Sequence, residues 1–411
     1  FGLVRYGVAP DHPKLKEPIQ VYDRIARTEG LEFFGNVHVG VDVSFEDLRA
    51  HYDAVILACG AQEDRPLGIP GENFPGSHSA LEFVGWYNGH PDFRDRSFDL
   101  SGEVAVIIGQ GNVAADLCRM LAKPIDELRN TDVAEHALDA LAHCKIREIH
   151  VIGRRGPAQA KFTSKELREL GEIPGAQALA APVDLQLNAE SETEIADKRN
   201  FVAAKNIEIF RAWSTAPDTG APKKMRFGFF HSPIEIRGKS KVESVVFARN
   251  QLEGPAFQQL ARPNGVTAEL ACDLVLRSAG YRCVPIPCIP FDAATSVVRN
   301  RGGRIVDESQ HAVPGLYVTG WAKRGPTGII GTNRADSVET VKALLSDLES
   351  VPPTTKTGAD GIRSLLSQGG TKFVSYADWL RMDATELARG AQRNKPREKL
   401  VSVPDMLACI D

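Results

Sequence analysis

The chain has 411 residues, enough for two or three domains and a large core, and its 43% hydrophobic and 25% charged residues are ordinary for a globular protein. A net charge of -4 excludes a general attraction to nucleic acid or to an anionic membrane, and no apolar run approaches the ~20 residues that span a bilayer. Seven cysteines without a C-x-x-C pair exclude a disulfide framework, a zinc site and a dithiol redox centre, and they fit a reducing compartment.

In chain order, the sequence opens FGLVRYGVAP with no initiator Met, which reads as a start beyond the true N-terminus. YDAVILACGA (52–61) and GEVAVIIGQG (102–111) are short apolar runs ending in glycine, as expected of parallel strands covered on both faces. NVAADLCRMLA (112–122) follows its glycine as a helix, and 123–144 reads as an extra helical insertion. EIHVIGRRG (148–156) is a third strand, and TSKELRELG (163–171) is a helix with a hydroxyl cap and a terminal glycine. KVESVVFAR (241–249), CDLVLRSAGY (272–281) and GLYVTGW (315–321) read as further strands, and DSVETVKALLSDLES (336–350) as a helix. VPPTTKTGADG (351–361) reads as a linker, followed by short helices and a basic end-piece, NKPREKL (394–400). Alternating strands and helices imply a doubly wound α/β architecture.

GQGNVAAD (109–116) carries the clearest chemistry, G-x-G-x-x-A between a strand and a helix. Gly109 allows the tight turn, Gly111 lets a pyrophosphate approach the backbone, Ala114 keeps helix and strand close, and the helix N-terminus favours phosphate. The bland alternative is a glycine-rich turn with no ligand. The next strand ends in Arg154 and Arg155, where an NAD site usually has a carboxylate. Two guanidiniums suit a 2′-phosphate, so NADP is preferred to NAD, against the alternative of a solvated basic turn. In TGWAKRGPTGIIGTN (319–333), Trp321 suits the side of a flavin and backbone N–H groups of 328–330 its polar edge, or else Trp321 is a core aromatic. Lys323 and Arg324 suit a reduced flavin or a phosphate.

With these pieces placed, the sequence resembles the adrenodoxin reductase family, NADPH:ferredoxin reductases that carry FAD. The resemblance runs through FGLVRYGVAPDHP (1–13), EFFGNVHVG (32–40), FVGWYNGHP (83–91), GQGNVAAD, IGRRGPAQAKFTSKELREL (152–170), SPIEI (232–236) and GWAKRGPTGIIGTN (320–333), and so covers essentially the whole chain. It implies two doubly wound dinucleotide-binding domains: an FAD domain split into 1–63 and 284–411, and an inserted NADP domain, 64–283. The family's N-terminal FAD motif has no counterpart here, so the FAD domain is expected to be truncated.

By matched motif, the resemblance implies NADP contacts at Gln110, Gly111, Asn112, Val113, Arg154, Arg155 and Glu166. It implies FAD contacts at Leu3, Val39, Trp321, Gly328, Ile329 and Ile330. His12 and Glu169 match an acid/base pair near the flavin, with a histidine that only fixes its turn and an exposed helix carboxylate as the alternatives. No metal site is implied. The expected partners are NADPH and an acidic [2Fe–2S] ferredoxin, taken by a monomer with no nucleic acid and no stable membrane insertion. Cations and aromatics in 198–213 and 221–230 suit a docking patch or an ordinary surface. The compartment is expected to be cytoplasmic if the chain is bacterial and the mitochondrial matrix if it is eukaryotic. Two rival readings are an NADPH-oxidising module of the glutamate synthase small-subunit type and a nucleotide-binding fragment without turnover. A thioredoxin reductase would need the absent C-x-x-C.

Overall fold

The computed structural model describes residues 1–328, 330–350 and 355–411, with residue 330 described by its backbone alone. It divides into two compact units. One comprises Phe1–Tyr22, Pro66–Ala279 and Met382–Asp411, and the other Asp23–Arg65 and Gly280–Arg381.

The first unit is built on six parallel strands in the order Ser77–Ser79, Leu274–Arg277, Val104–Ile108, Glu148–Ile152, Lys223–Gly228 and Ala176–Ala180. Side chains of a strand alternate between faces, so a strand covered on both sides is apolar throughout. Here Ala105 and Ile107 face a cluster with Phe83, Leu117, Leu167 and Phe210 on the helices. Val106 and Ile108 face Ile236, Val245 and Phe247. This second face is closed by an antiparallel three-stranded sheet, His231–Arg237, Ser244–Glu253 and Leu260–Ala271. KVESVVFAR thus lies in that sheet and not in the parallel series. Its first residues are buried as fully as a parallel strand's, so apolar periodicity alone could not separate the two. The helix after the glycine turn spans Asn112–Ala122, and the 123–144 insertion folds as Ile125–Arg129 and Glu135–Ala142.

The end-piece read as a basic tail is interior. Asp132 lies 2.8 Å from both Lys16 Nζ and Lys399 Nζ, and Arg397 contacts Asp383 at 2.6 Å and Glu386 at 2.7 Å. Glu386 also takes Arg5. A buried cation needs a buried partner, and these pairs tie residues 1–22 and 382–411 to the central segment of the chain. Burial pulls the Lys399 ammonium down to about 7, against the attraction of Asp132.

In the second unit Val55–Leu57 runs parallel to Leu316–Val318, part of the strand Ala312–Val318. Arg304–Val306 and Asn300–Arg301 continue the sheet antiparallel. Val55–Leu57 stands at the sheet edge with Ile56 exposed, so the 52–61 run is not covered on both faces as its sequence suggests. Val55 and Leu57 pack against Leu316, Val318 and Ile305. The 336–350 helix belongs to a longer one, Ile330–Leu348. Of the 351–361 linker, residues 351–354 lie outside the described residues, and a helix already starts at Gly358. Among the described residues no helix is long and apolar enough to cross a membrane, and all seven cysteines are free.

Candidate active site

The glycine turn sits at the C-terminal end of Val104–Ile108, where open α/β sheets bind ligands. Gly109 has φ +142°, and a Cβ there would meet the Ser278 carbonyl oxygen at 2.1 Å. Gly111 differs: it caps the helix in extended conformation, and a Cβ there would meet nothing within 4 Å. The Gln110 amide donates to the Gly228 carbonyl at 2.8 Å, and Asn112 Oδ1 accepts the Thr163 N–H at 2.9 Å. These two side chains hold neighbouring loops, which leaves backbone N–H groups at the helix start as the ligand-facing donors. Val113 is half-buried against the helix-side core.

Arg154 and Arg155 follow the adjacent strand, the first exposed and the second half-buried. Among the described residues neither has an ion-pair partner within 4.0 Å, whereas Lys224, Arg226 and Arg249 nearby in the fold all do. Burial and the neighbouring Arg154 charge pull the Arg155 guanidinium below its usual range, against the attraction of Glu194. Asn250, itself buried, donates to the Arg154 carbonyl at 2.8 Å and pins the backbone that presents both arginines.

His12 and Glu169 meet: His12 Nε2 is 2.7 Å from Glu169 Oε2. His12 is 8% exposed and the Glu169 side chain 31%, so the carboxylate keeps an opening to solvent. Burial raises the Glu169 carboxyl, but the His12 hydrogen bond and charge outweigh it and hold it below the usual range. Glu166 is buried beside them, accepting from Arg119 Nη1 at 2.6 Å with its other oxygen 3.6 Å from His12 Nδ1.

In the second unit, Trp321 opens a short helix, Trp321–Arg324, and stacks 6.0 Å from Tyr281. Its indole Nε1 is buried without a hydrogen-bond partner. Buried donors are seldom left unpaired, and no acceptor for this one stands among the described residues. Gly328 is exposed at φ +83°, and Val39 is exposed too. Leu3 is exposed on the helix Gly2–Tyr6 of the first unit. Ile329 and the side chain of Ile330 lie outside the described residues.

Lys323 does not offer its charge to a ligand. It is 8% exposed and pairs with Asp336 at 3.0 Å and Glu339 at 2.7 Å. Arg324 is held by Thr327 and Asn333. Of the two stretches read as a docking patch, 198–213 keeps Lys198, Arg199, Lys205, Arg211 and Phe201 exposed, whereas the cations of 221–230 have partners within the unit. Lys223 donates to the Leu121 carbonyl at 2.6 Å, Lys224 pairs with Asp218 and Arg226 with Glu148, while Phe210, Phe227 and Phe229 are core.

No protein-family model matches the chain. NADPH-ferredoxin reductase FprA of Mycobacterium leprae is 43% identical over 411 residues, 99% of this chain and 88% of that protein. The mitochondrial NADPH:adrenodoxin oxidoreductase of Homo sapiens is 42% identical over 99% of this chain and 84% of its own length. The chain belongs to the NADPH:ferredoxin/adrenodoxin reductase family. The structure of Mycobacterium tuberculosis FprA in complex with NADPH superposes with a TM-score of 0.93 at 43% identity, covering 100% of this chain and 90% of that one. The parallel sheet and glycine turn described above are therefore features of a reductase fold.

Three residues of this family member escaped the sequence reading: Asp11, Asp116 and Arg119. Their signal was available in two places. Asp116 and Arg119 stand three apart on an otherwise apolar helix directly after the glycine turn, and Asp11 precedes His12. Asn250 had no such signal.

Proposed function

We propose that the chain is an FAD-dependent NADPH:ferredoxin reductase, passing electrons from NADPH to a [2Fe–2S] protein. The observation that carries this reading is the pair of guanidiniums, without an ion-pair partner among the described residues, beside the open Gly111 turn. Kinship over 99% of the chain with FprA and with an adrenodoxin oxidoreductase supports it. The residues fit the nucleotide: backbone N–H groups at 111–113 take the pyrophosphate, and Arg154 and Arg155 take the 2′-phosphate. They fit FAD at the Gly320–Gly328 turn, where the Trp321 N–H, unpaired among the described residues, and exposed backbone suit a ring with a polar edge, with Val39 of the same unit as an apolar contact. Bound FAD supplies the conversion of a hydride from NADPH into single electrons.

The chain's own contribution is positioning and proton management. His12 Nε2 faces Glu169 at hydrogen-bond distance, and the part-open carboxylate links that nitrogen to solvent as a route for a proton. In this reading the NADP domain is the inserted segment and the FAD domain is split around it. The test is electron delivery. The FAD-loaded protein with NADPH and a [2Fe–2S] ferredoxin should reduce cytochrome c only when the ferredoxin is present. Reduction of cytochrome c at the same rate without it would remove the ferredoxin from the proposal.

A further inference from the structure

The helix that follows the glycine turn buries a guanidinium against His12. The Arg119 side chain is 1% exposed. Its Nε donates to Asp11 Oδ2, its Nη2 to Asp116 Oδ1 and its Nη1 to Glu166 Oε2, each at 2.6 Å. Nη2 also lies 3.2 Å from Asp11 Oδ1 and 3.4 Å from His12 Nδ1. A guanidinium has donors and no acceptor. Its approach to His12 Nδ1 is therefore compatible with a lone pair on that nitrogen and opposed by a proton on it.

We propose that Arg119 is a positioning residue that fixes the tautomer of His12, keeping Nδ1 unprotonated so that the ring's proton sits on Nε2 and faces Glu169.

The groups around the imidazole divide by side. Arg119 and Glu166 face it at Nδ1, an Asp116 carboxylate oxygen lies within 4.8 Å of a ring nitrogen, and Asp11 sits on Arg119 with Lys123 3.0 Å from it. Glu169 faces Nε2, with Lys165 3.4 Å from that carboxylate. Glu166 is the competitor. Its Oε1 lies 3.6 Å from Nδ1 and would accept a proton placed there, but its Oε2 is engaged by Arg119. Arg119 thus acts twice, by setting the positive edge of its guanidinium against Nδ1 and by drawing Glu166 to itself. His12, Asp116 and Glu166 also lie close enough together for a metal ion. The guanidinium already bonds both carboxylates and approaches the imidazole, so it serves as the cation of that cluster. The three carboxylates around Arg119 exceed its single charge. Burial, opposed by Arg119 and helped by Glu166 and Asp11, pushes the Asp116 carboxyl up to about 7.

The use of this proton in turnover rests on the reductase reading; the tautomer does not. The test is nitrogen NMR of the full chain labelled at histidine, with His12→Gln assigning the signal. At pH 8 the parent should show His12 with a proton on Nε2 and none on Nδ1. Arg119→Lys, which keeps a donor, should retain that pattern. Arg119→Met should shift it toward a proton on Nδ1. A parent protein protonated at Nδ1 would overturn the proposal whether or not either variant folds. So would a folded Arg119→Met protein with the parent's pattern. Because no turnover is read, an inactive reductase with the expected tautomer would count against the proposed function and not against the role of Arg119.

Discussion

Gly111→Val is expected to fold as the parent does and to lose NADPH. Its φ of -124° and ψ of -179° are ordinary extended backbone, and a Cβ meets nothing within 4 Å, so the unliganded chain gives no steric reason for glycine at this position. The reason must lie with what approaches from outside. A pyrophosphate held by backbone N–H groups comes within hydrogen-bond distance of the chain, and a valine side chain occupies that space. Hydrogen bonds to a charged group contribute about 1.5–3 kcal/mol each, so losing two lowers affinity at least ~100-fold. Thermal stability should fall by only about 1 kcal/mol, the loss expected when valine replaces glycine at a helix N-cap. Gly109→Ala is the internal contrast. With φ +142° and the Ser278 carbonyl 2.1 Å from its added Cβ, it must disturb the turn itself and lower the melting temperature. Calorimetric NADPH binding and a thermal melt on both variants separate ligand space from backbone need. Unchanged NADPH affinity in Gly111→Val would place the pyrophosphate elsewhere.

Arg154→Ala with Arg155→Ala should weaken NADPH binding by about 3–5 kcal/mol, from two lost charge-assisted contacts, and leave NADH binding within a few-fold of the parent. The two positions are unequal. Arg154 is exposed and its contribution should fade with salt, while half-buried Arg155 is screened less and should cost more when replaced. The pair is also poised. Burial and mutual repulsion already disfavour the Arg155 charge, so an arriving dianion relieves a strain present in the free protein. Titrations with NADPH and NADH at two salt concentrations read all of this. Equal losses for both nucleotides would mean that the arginines act on the turn and not on the 2′-phosphate.

What could be read from the sequence follows from what local chemistry dictates. The strand–turn–helix around Gly109 was visible because both periodicities and both glycines act within nineteen residues, 104–122, and the helix Asn112–Ala122 falls where its pattern placed it. The sequence could also bring out His12 and Glu169, because long motifs surround each. Pairing across the chain was not visible. Nothing in NKPREKL says that Lys399 is buried on Asp132, a partner far back in the sequence, so a basic tail was the natural reading. Lys323 shows the same failure: its partners Asp336 and Glu339 come one helix later, and only the fold makes the loop cation internal. Strand direction was hidden for Ser244–Glu253 because burial pattern is blind to it. Arg119 and Asp116 stood out as charges on an apolar helix, but the pairing of Arg119 with Asp11 and Glu166 was hidden because it brings three separate stretches together.

The most direct test of the reductase account is an anaerobic titration of the FAD-supplied 411-residue chain with NADPH, followed by visible absorbance. The account predicts bound flavin whose absorbance bleaches with NADPH and far less readily with NADH. Flavin that binds but stays oxidised under excess NADPH would contradict it.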